Sequence, residues 1–254
     1  MKKILSSFAI CFSTYSRIPM PHVSWEASNM GYIFTFFPLV GLAVGAVQLL
    51  WLWFAQNFAV NTLLYAVAAT VIPILITGGI HLDGYMDTCD ALFSYGDREK
   101  KLQIMKDPNA GAFAVIYCGV YLLLTVGLFS QLYGTADWKT MVFLGCGYLL
   151  SRSISSSFVV RMTCAKNSGL AYLFHNGADR KFSQAALTVW ALLLLAALFL
   201  LYWQRALLTL VLLALWIFWF TRLAKKQFGG ITGDLAGFAL EISELLILLA
   251  TVIL

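Results

Sequence analysis

Charged side chains are scarce in this sequence, and their scarcity excludes a water-soluble globular protein. Only 11% of the 254 residues are Asp, Glu, Lys or Arg, whereas ordinary globular domains contain roughly 25%. Hydrophobic residues make up 61%, and the mean hydropathy is +0.82. Several uninterrupted apolar runs reach the length of about 20 residues that a helix needs to cross a bilayer. The composition predicts an all-α polytopic bundle of transmembrane helices, with residues 1–254 forming a single integral-membrane domain in a lipid bilayer.

Familiar site motifs are also missing. The five cysteines form no CxxC or Cys/His pair, so neither a zinc site nor a disulfide framework is predicted. The chain has no Ser/His/Asp triad order, no phosphate-binding P-loop and no dinucleotide-binding fingerprint. A net charge of +5 could suggest a nucleic-acid partner. The positions of the basic residues account for this charge as membrane topology, and we therefore expect no nucleic acid.

Seven apolar segments are predicted to span the membrane. They lie at about residues 31–55, 59–80, 112–133, 138–160, 185–203, 206–221 and from 237 to the C-terminus. A shorter apolar stretch, residues 4–16, predicts an interfacial or re-entrant helix. In the first span, Gly41 and Gly45 form a Gly-x-x-x-Gly pair, which permits close helix contact. A six-span arrangement with one re-entrant hairpin fits the sequence nearly as well.

The basic residues predict the orientation of these spans. If the N-terminus is cytoplasmic, only Lys139 and Arg205 fall on the opposite side, and Arg152 lies inside the fourth span. All other Lys and Arg residues then lie in cytoplasmic segments, as the positive-inside rule requires. We expect a multi-pass protein of the cytoplasmic (inner) membrane, with its N-terminus and its active site in the cytoplasm.

The stretch from Gly78 to Ala112 carries half of the chain's 12 acidic residues between two apolar segments. Asp83, Asp87 and Asp90 are spaced four and then three residues apart, which stacks three carboxylates on one face if the preceding helix continues through them. Such a face is costly unless cations neutralise it. Oxygen ligands of this kind suit Mg²⁺, which proteins usually hold by one or two carboxylates together with substrate phosphates.

A second acidic group begins the last span. Asp234, Glu241 and Glu244 are separated by seven and then three residues and share one helical face. Carboxylates inside a membrane are expensive, so Glu241 and Glu244 are functional candidates. We predict that the two acidic groups share one cytoplasmic metal site. Three basic residues are candidates for holding phosphates there: Lys106, Arg152 and Arg161.

Glycines and a histidine complete the predicted site. The run Gly229-Gly230-Ile231-Thr232-Gly233 frees the backbone to approach a ligand, although such glycines also simply end a helix. His81 could ligate a metal, donate a hydrogen bond to a phosphate or act as a base. A carboxylate cluster of this kind at a membrane face suits metal-assisted phosphoryl transfer.

Two other functions remain open from the residues alone. A phospholipid enzyme like the CDP-alcohol phosphotransferases would use a similar aspartate-rich helix, but their Asp-Gly-x-x-Ala-Arg opening is not met after Asp83-Gly84. A cation or proton transporter would use intramembrane carboxylates. Against a transporter, the carboxylates cluster at one face and the two halves of the chain show no inverted repeat.

Longer motifs carry a resemblance to a known family. They are Gly78-Gly79-Ile80-His81-Leu82-Asp83-Gly84, Asp87-Thr88-Cys89-Asp90, Ile104-Met105-Lys106-Asp107 and Gly229-Gly230-Ile231-Thr232-Gly233-Asp234. In this order, with Ser16-Arg17-Ile18-Pro19, Phe37-Pro38-Leu39-Val40-Gly41 and Ser151-Arg152, they closely resemble the adenosylcobinamide-GDP ribazoletransferase (cobalamin synthase) family over essentially the whole chain. Two small residues depart from the usual glycines, Ala91 and Ala114.

The resemblance implies a Mg²⁺-dependent transferase of adenosylcobalamin biosynthesis. It would join adenosylcobinamide-GDP to α-ribazole or its 5′-phosphate and release GMP. We expect Asp83, Asp87 and Asp90 to hold metal and diphosphate and Asp234, Glu241 and Glu244 to close the site, with Asp90 or Asp234 as general base. The remaining candidates, expected to bind substrate or phosphate, are His81, Lys106, Asp107, Arg152, Arg161, Gly229, Gly230, Thr232 and Gly233. A homo-oligomer is compatible with the sequence.

Overall fold

The computed structural model describes residues 2–254, and within this range the chain is a helical bundle without strands. A short π-helical segment, Ala224–Phe228, directly follows the helix that ends at Leu223 and leads to the final apolar helix. The helices are α1 (Lys2–Tyr15), α2 (Ala27–Met30), α3 (Ile33–Asn57), α4 (Thr62–Thr77), α5 (Ile80–Phe93), α6 (Arg98–Ile104), α7 (Ala112–Tyr133), α8 (Trp138–Arg161), α9 (Leu170–Gly177), α10 (Arg180–Leu201), α11 (Trp203–Leu223) and α12 (Gly233–Ile253).

Six of these helices are long and apolar enough to cross a membrane: α3, α7, α8, α10, α11 with its π-helical continuation, and α12. They confirm six of the predicted spans and the polytopic helical class. The predicted span at 59–80 is α4, which has only 16 residues. It passes the same test only together with α5, and the two helices meet at 98°. The acidic stretch is therefore a separate helix and does not continue the preceding one.

The bend between α4 and α5 lies at two consecutive glycines. Gly78 has φ +69° and Gly79 has φ +80°, a left-handed conformation that residues with a side chain rarely adopt. The turn is also crowded, because a Cβ on Gly78 would lie 2.5 Å from Nε of Arg17. The Gly-Gly pair thus ends α4 and turns the acidic helix across the end of the bundle.

Hydrogen bonds near the ends of helices identify the two ends of the bundle. At one end, the Tyr133 hydroxyl donates to the carbonyl oxygens of Ala55 and Val60, both at 3.0 Å. At the other end, which we call the acidic end, the Arg17 amide donates to the Ile76 carbonyl at 2.7 Å. Helix α4 therefore runs from one end to the other like the six longer helices, and α5 lies at the acidic end beyond it.

Helix α8 is the central element and packs against α3, α10 and α12. Its contact with α3 is very close, since a Cβ on Gly45 would lie 2.8 Å from the Cα of Gly145. This contact confirms that the Gly41/Gly45 pair brings two helices together, as small residues do in membrane bundles. Most of the remaining α8 surface is buried.

Two contacts at the acidic end hold the polar segments together. Helix α5 lies on α12, where a Cβ on Gly237 would be 3.0 Å from the His81 carbonyl oxygen. The glycine-rich segment before α12 pairs with the α8–α9 connection in one parallel β-bridge: the Ile231 amide donates to the Thr163 carbonyl, and the Ala165 amide donates to the Ile231 carbonyl, each at 2.9 Å. The α5 helix, the α8–α9 connection and the start of α12 thus meet around one space.

Candidate active site

The space enclosed at the acidic end is a cavity of about 500 Å³, which we call the main cavity. Its walls come from α1, α3, α5, α8, α9 and α12 and from the connections before α7, α9 and α12. The polar and charged side chains that line it are His81, Asp83, Lys106, Ser155, Ser156, Lys166, Ser168, Thr232 and Asp234. Segments far apart in sequence therefore supply one polar site.

Two of the predicted acids line this cavity from different helices. Asp83 belongs to the first turn of α5, and Asp234 to the first turn of α12. Thr232 caps α12, because its hydroxyl accepts a hydrogen bond from the Leu235 amide at 3.1 Å, an arrangement that fixes where a helix begins. Helix N-termini also favour negative charge, so both positions suit a carboxylate or a bound anion.

Asp87 and Asp90 follow along α5 and are half-buried. Burial, and then the nearby carboxylates of Asp83, Asp234 and Asp90, raise the pKa of Asp87 from 3.8 to about 7. The carboxylate of Asp90 lies directly against the backbone of Gly111, at a position that a side chain there would occupy. The predicted crowding of like charges is present around Asp87.

Two lysines line the same cavity and partly offset these acids. Lys106 was expected at the site, whereas Lys166 was not among the candidates. Burial lowers the pKa of Lys166, and Asp234 close by acts in the opposite direction. Lys166 lies in the polar segment between the fourth and fifth spans, and this location in the sequence could have marked it as a candidate site residue.

His81 forms part of the floor of the cavity and is 4% exposed. Burial, and next the neighbouring Arg152, lower the pKa of His81, which keeps its ring neutral. Its Nε2 atom and the hydroxyl of Ser156 are buried and have no hydrogen-bond partner among residues 2–254. Unsatisfied buried polar atoms are rare and call for an explanation such as a catalytic role or a ligand.

Within the glycine-rich run before α12, some residues pack against neighbouring segments and others line the main cavity. Gly229 has φ +76° and lies under the guanidinium of Arg98, and Gly230 lies against the carbonyl of Thr163. Neither glycine lines the cavity. Thr232 and Gly233 do line it, and a Cβ on Gly233 would meet no atom within 4 Å.

Three predicted site residues lie apart from the main cavity, in the interior of the bundle. Arg152 donates hydrogen bonds to the Glu244 carboxylate and, at 2.9 Å, to the Tyr148 carbonyl. The Tyr121 hydroxyl donates to Glu241. Glu241 and Glu244 line a second cavity of about 30 Å³, the volume of about one water molecule. The structure thus gives Arg152 a carboxylate partner and does not bring Glu241 or Glu244 to Asp83.

The remaining two candidates are on the surface. Arg161, the last residue of α8, is exposed and donates to the Thr188 hydroxyl at 3.0 Å. Asp107 is exposed and accepts hydrogen bonds from the amide and side chain of Asn109, which lower its pKa. Neither side chain lines the main cavity.

The residues of the main cavity suit Mg²⁺ only if a bound substrate supplies further ligands. Across residues 2–254, no group of three His, Cys, Asp or Glu side chains is close enough to hold a metal ion alone. Two carboxylates face the cavity, however, and Mg²⁺ is commonly bound by one or two carboxylates plus substrate phosphates. Asp83 and Asp234 thus suit a cation that arrives with, or is completed by, a phosphorylated substrate.

Fold and site together define a class: a multi-pass helical membrane protein with a carboxylate- and lysine-lined cavity at one end. Comparison with known proteins gives the family. A family model described as cobalamin-5-phosphate synthase matches residues 7–252. The chain therefore belongs to the cobalamin-5-phosphate synthase family and is a transferase of cobalamin synthesis.

Individual relatives agree over nearly their full length. The chain is 38% identical over 251 residues to a protein of Lachnoclostridium phytofermentans named adenosylcobinamide-GDP ribazoletransferase, covering 99% of this chain and 95% of the relative. Proteins of the same name from Clostridium perfringens and Desulfitobacterium hafniense are 33% and 34% identical, with 96% and 94% of each chain covered. No solved structure matches the chain.

Proposed function

We propose that this transferase joins adenosylcobinamide-GDP to α-ribazole or α-ribazole 5′-phosphate and releases GMP. Its relatives are named adenosylcobinamide-GDP ribazoletransferase, which supports these two substrate classes. A ribose hydroxyl oxygen forms a bond to the phosphorus next to the cobinamide. The bond from that phosphorus to the bridging oxygen breaks, and this oxygen leaves with GMP. The hydroxyl proton passes to a carboxylate.

One observation supports this chemistry above the others: Asp83 and Asp234, on separate helices, line the same cavity as Lys106 and Lys166. A diphosphate carries charge that lysines neutralise, and phosphoryl transfer depends mainly on positioning and electrostatic stabilisation. Asp83 would hold Mg²⁺ together with the diphosphate, and the bound cation would supply charge neutralisation of the leaving phosphate.

Asp234 is the proposed general base. It is half-buried in the first turn of α12 and has Thr232 and Lys166 beside it, so its position relative to the substrate is fixed by the helix that carries it. A base must come within hydrogen-bond reach of the proton that it removes. Asp90, the other candidate, does not line the cavity and lies against Gly111.

The proposed location is the cytoplasmic membrane, with the acidic end in the cytoplasm. The excess of Lys and Arg at this end supports this orientation, because among the described residues only Lys139 and Arg205, in the first turns of α8 and α11, lie near the opposite end. The corrinoid and nucleotide substrates would then reach the cavity from the cytoplasm.

The test is a reaction with purified protein in detergent or liposomes. Adenosylcobinamide-GDP, α-ribazole and Mg²⁺ should give GMP and a new corrinoid product, and EDTA should stop the reaction. A folded protein that releases no GMP would contradict the proposal, and ion-flux measurements would then examine the transporter alternative.

A further inference from the structure

Five aromatic rings line the main cavity in addition to its charged groups, and three of them form one cluster. Tyr15 of α1, Phe37 of α3 and His81 of α5 contact one another ring to ring. Their centroids are 4.3 Å apart for Tyr15 and Phe37, 5.5 Å for Phe37 and His81, and 5.9 Å for Tyr15 and His81. All three line the cavity. We call these residues the aromatic cluster; they form an uncharged surface that phosphoryl transfer itself does not require.

We infer that the aromatic cluster binds the flat heteroaromatic base of the acceptor nucleoside, α-ribazole, within the main cavity. This inference rests on the proposed function and assigns one of its two substrates to a definite set of side chains. The aromatic cluster and Asp83 line a single cavity, and His81 precedes Asp83 by two residues on α5. A nucleoside stacked on the rings therefore has its ribose in the space that the acids also line.

The size of the cavity favours the acceptor over the donor. A volume of about 500 Å³ is typical of pockets that enclose a small organic ligand, roughly 300–1,000 Å³. A nucleoside fits inside such a space, whereas the corrin macrocycle of the donor, with its nucleotide, is several times larger than a nucleoside. Most of the donor must remain outside, and only its diphosphate needs to enter.

The charges lead to the same assignment. The donor diphosphate is anionic and suits Lys106 and Lys166. The base of the acceptor is uncharged, planar and bicyclic, and such bases stack on aromatic side chains in many proteins. Tyr15 is the last residue of α1, so the short N-terminal helix, which does not span the membrane, contributes a ring to the cavity.

Tyr15→Ala tests the inference, because Tyr15 lines the cavity at the end of α1 and is half-buried. We expect the KM for α-ribazole to rise by roughly five- to hundredfold, the range that follows from losing one base–aromatic stack. The KM for adenosylcobinamide-GDP should stay within about twofold, since that substrate meets the lysines. Tyr15→Phe, which keeps the ring, should behave like the wild type.

Phe8→Ala is the matched control. Phe8 lies on the same helix, is also half-buried, and contacts Phe12 and Phe36, but it does not line the cavity. Its replacement should leave both KM values unchanged. If Tyr15→Ala raises the KM of the donor but not that of the acceptor, or if Phe8→Ala has the same effect as Tyr15→Ala, the inference is wrong.

A measurement of α-ribazole binding without turnover distinguishes a failure of this inference from a failure of the proposed function. α-Ribazole alone, titrated into wild type and Tyr15→Ala by calorimetry, should bind the variant more weakly by the same factor as the rise in KM. Wild-type protein that binds α-ribazole through Tyr15 but releases no GMP would overturn the proposed reaction and leave the subsite standing. Equal binding by wild type and Tyr15→Ala would overturn the subsite, whatever the turnover.

Discussion

The backbone of Gly84 lies directly against that of Asp234: a Cβ on Gly84 would be 2.9 Å from both the Cα and the carbonyl oxygen of Asp234. This contact joins the acidic helix α5 to the start of α12. It therefore sets the separation of Asp83 and Asp234, the two carboxylates that line the main cavity. Gly84, which follows Asp83, thus allows α5 and α12 to approach closely and so determines how far apart the two carboxylates lie.

Replacing Gly84 by Ala should push α5 and α12 apart, since the new methyl group meets backbone atoms, which cannot give way as a flexible side chain does. A misplacement of about 1 Å can cost on the order of 10²-fold in rate, so we expect a loss of kcat of that order. Gly119→Ala is the control, because a Cβ there meets nothing within 4 Å. Full activity of Gly84→Ala would show that the spacing of the two acids is unimportant.

Asp83→Asn and Asp234→Asn should each impair turnover, but in different ways. If Asp234 is the base, Asp234→Asn should lower kcat by roughly 10²- to 10⁴-fold, whereas Asp83→Asn should mainly raise the Mg²⁺ concentration needed for half-maximal rate. Rates of GMP release at varied Mg²⁺ distinguish the two effects. Glu99→Gln, at an exposed position outside the cavity, is the charge-matched control. Wild-type kinetics in either Asp variant would remove that residue from the mechanism.

The raised pKa of Asp87 predicts a pH-dependent stability. In the folded protein this carboxyl titrates at about 7, against 3.8 for the unperturbed group. Between these two values the folded state binds a proton that the unfolded state has released, so stability falls as the pH rises through this window. The Tm in detergent without Mg²⁺ should therefore decrease between about pH 4 and pH 7.

Asp87→Asn should flatten this decrease, because it removes the titrating group. Added Mg²⁺ should also reduce the decrease in the wild type, since a bound cation favours the ionised carboxylates. Melting curves of both proteins over the pH range provide the measurement. Identical pH profiles for wild type and Asp87→Asn would show that Asp87 is not the group responsible.

The Arg152–Glu244 pair predicts a contrast between single and double replacement. Both side chains are nearly inaccessible, 1% and 8% exposed, and removing one partner leaves the other charge buried. Glu244→Ala should then cost about 3–5 kcal/mol of stability. The double variant Arg152→Met/Glu244→Leu removes both charges and should recover most of the stability that the single variant loses. A double variant as unstable as the single one would argue against a mainly structural pair.

The proposed orientation of the bundle predicts which positions react with a membrane-impermeant thiol reagent. Tyr95 is fully exposed at the acidic end, and Trp138 is exposed at the opposite end. In a background without the five native cysteines, Trp138→Cys should react in intact cells, and Tyr95→Cys only after permeabilisation. The reverse pattern would place the acidic end outside the cell.

Much of the fold follows from the sequence alone. Long apolar runs leave a helix as the structure that satisfies the backbone in a membrane, and six of the seven predicted spans are helices of the required length. Local sequence also determines where a helix begins: Asp is a favoured N-cap residue, and the Asp97 side chain before α6 accepts a hydrogen bond from the Lys100 amide at 2.9 Å. The family, too, was apparent from motifs in a fixed order.

Only the tertiary structure decided which acids share a site. The sequence spacing groups Asp234 with Glu241 and Glu244, yet Asp234 lines the main cavity with Asp83, while Glu244 pairs with Arg152 in the interior. Helical periodicity gives the face of a side chain but not its depth along the bundle. Two turns of helix separate Asp234 from Glu241, a rise of about 10 Å, and this distance takes the glutamates from the membrane surface into the packed core.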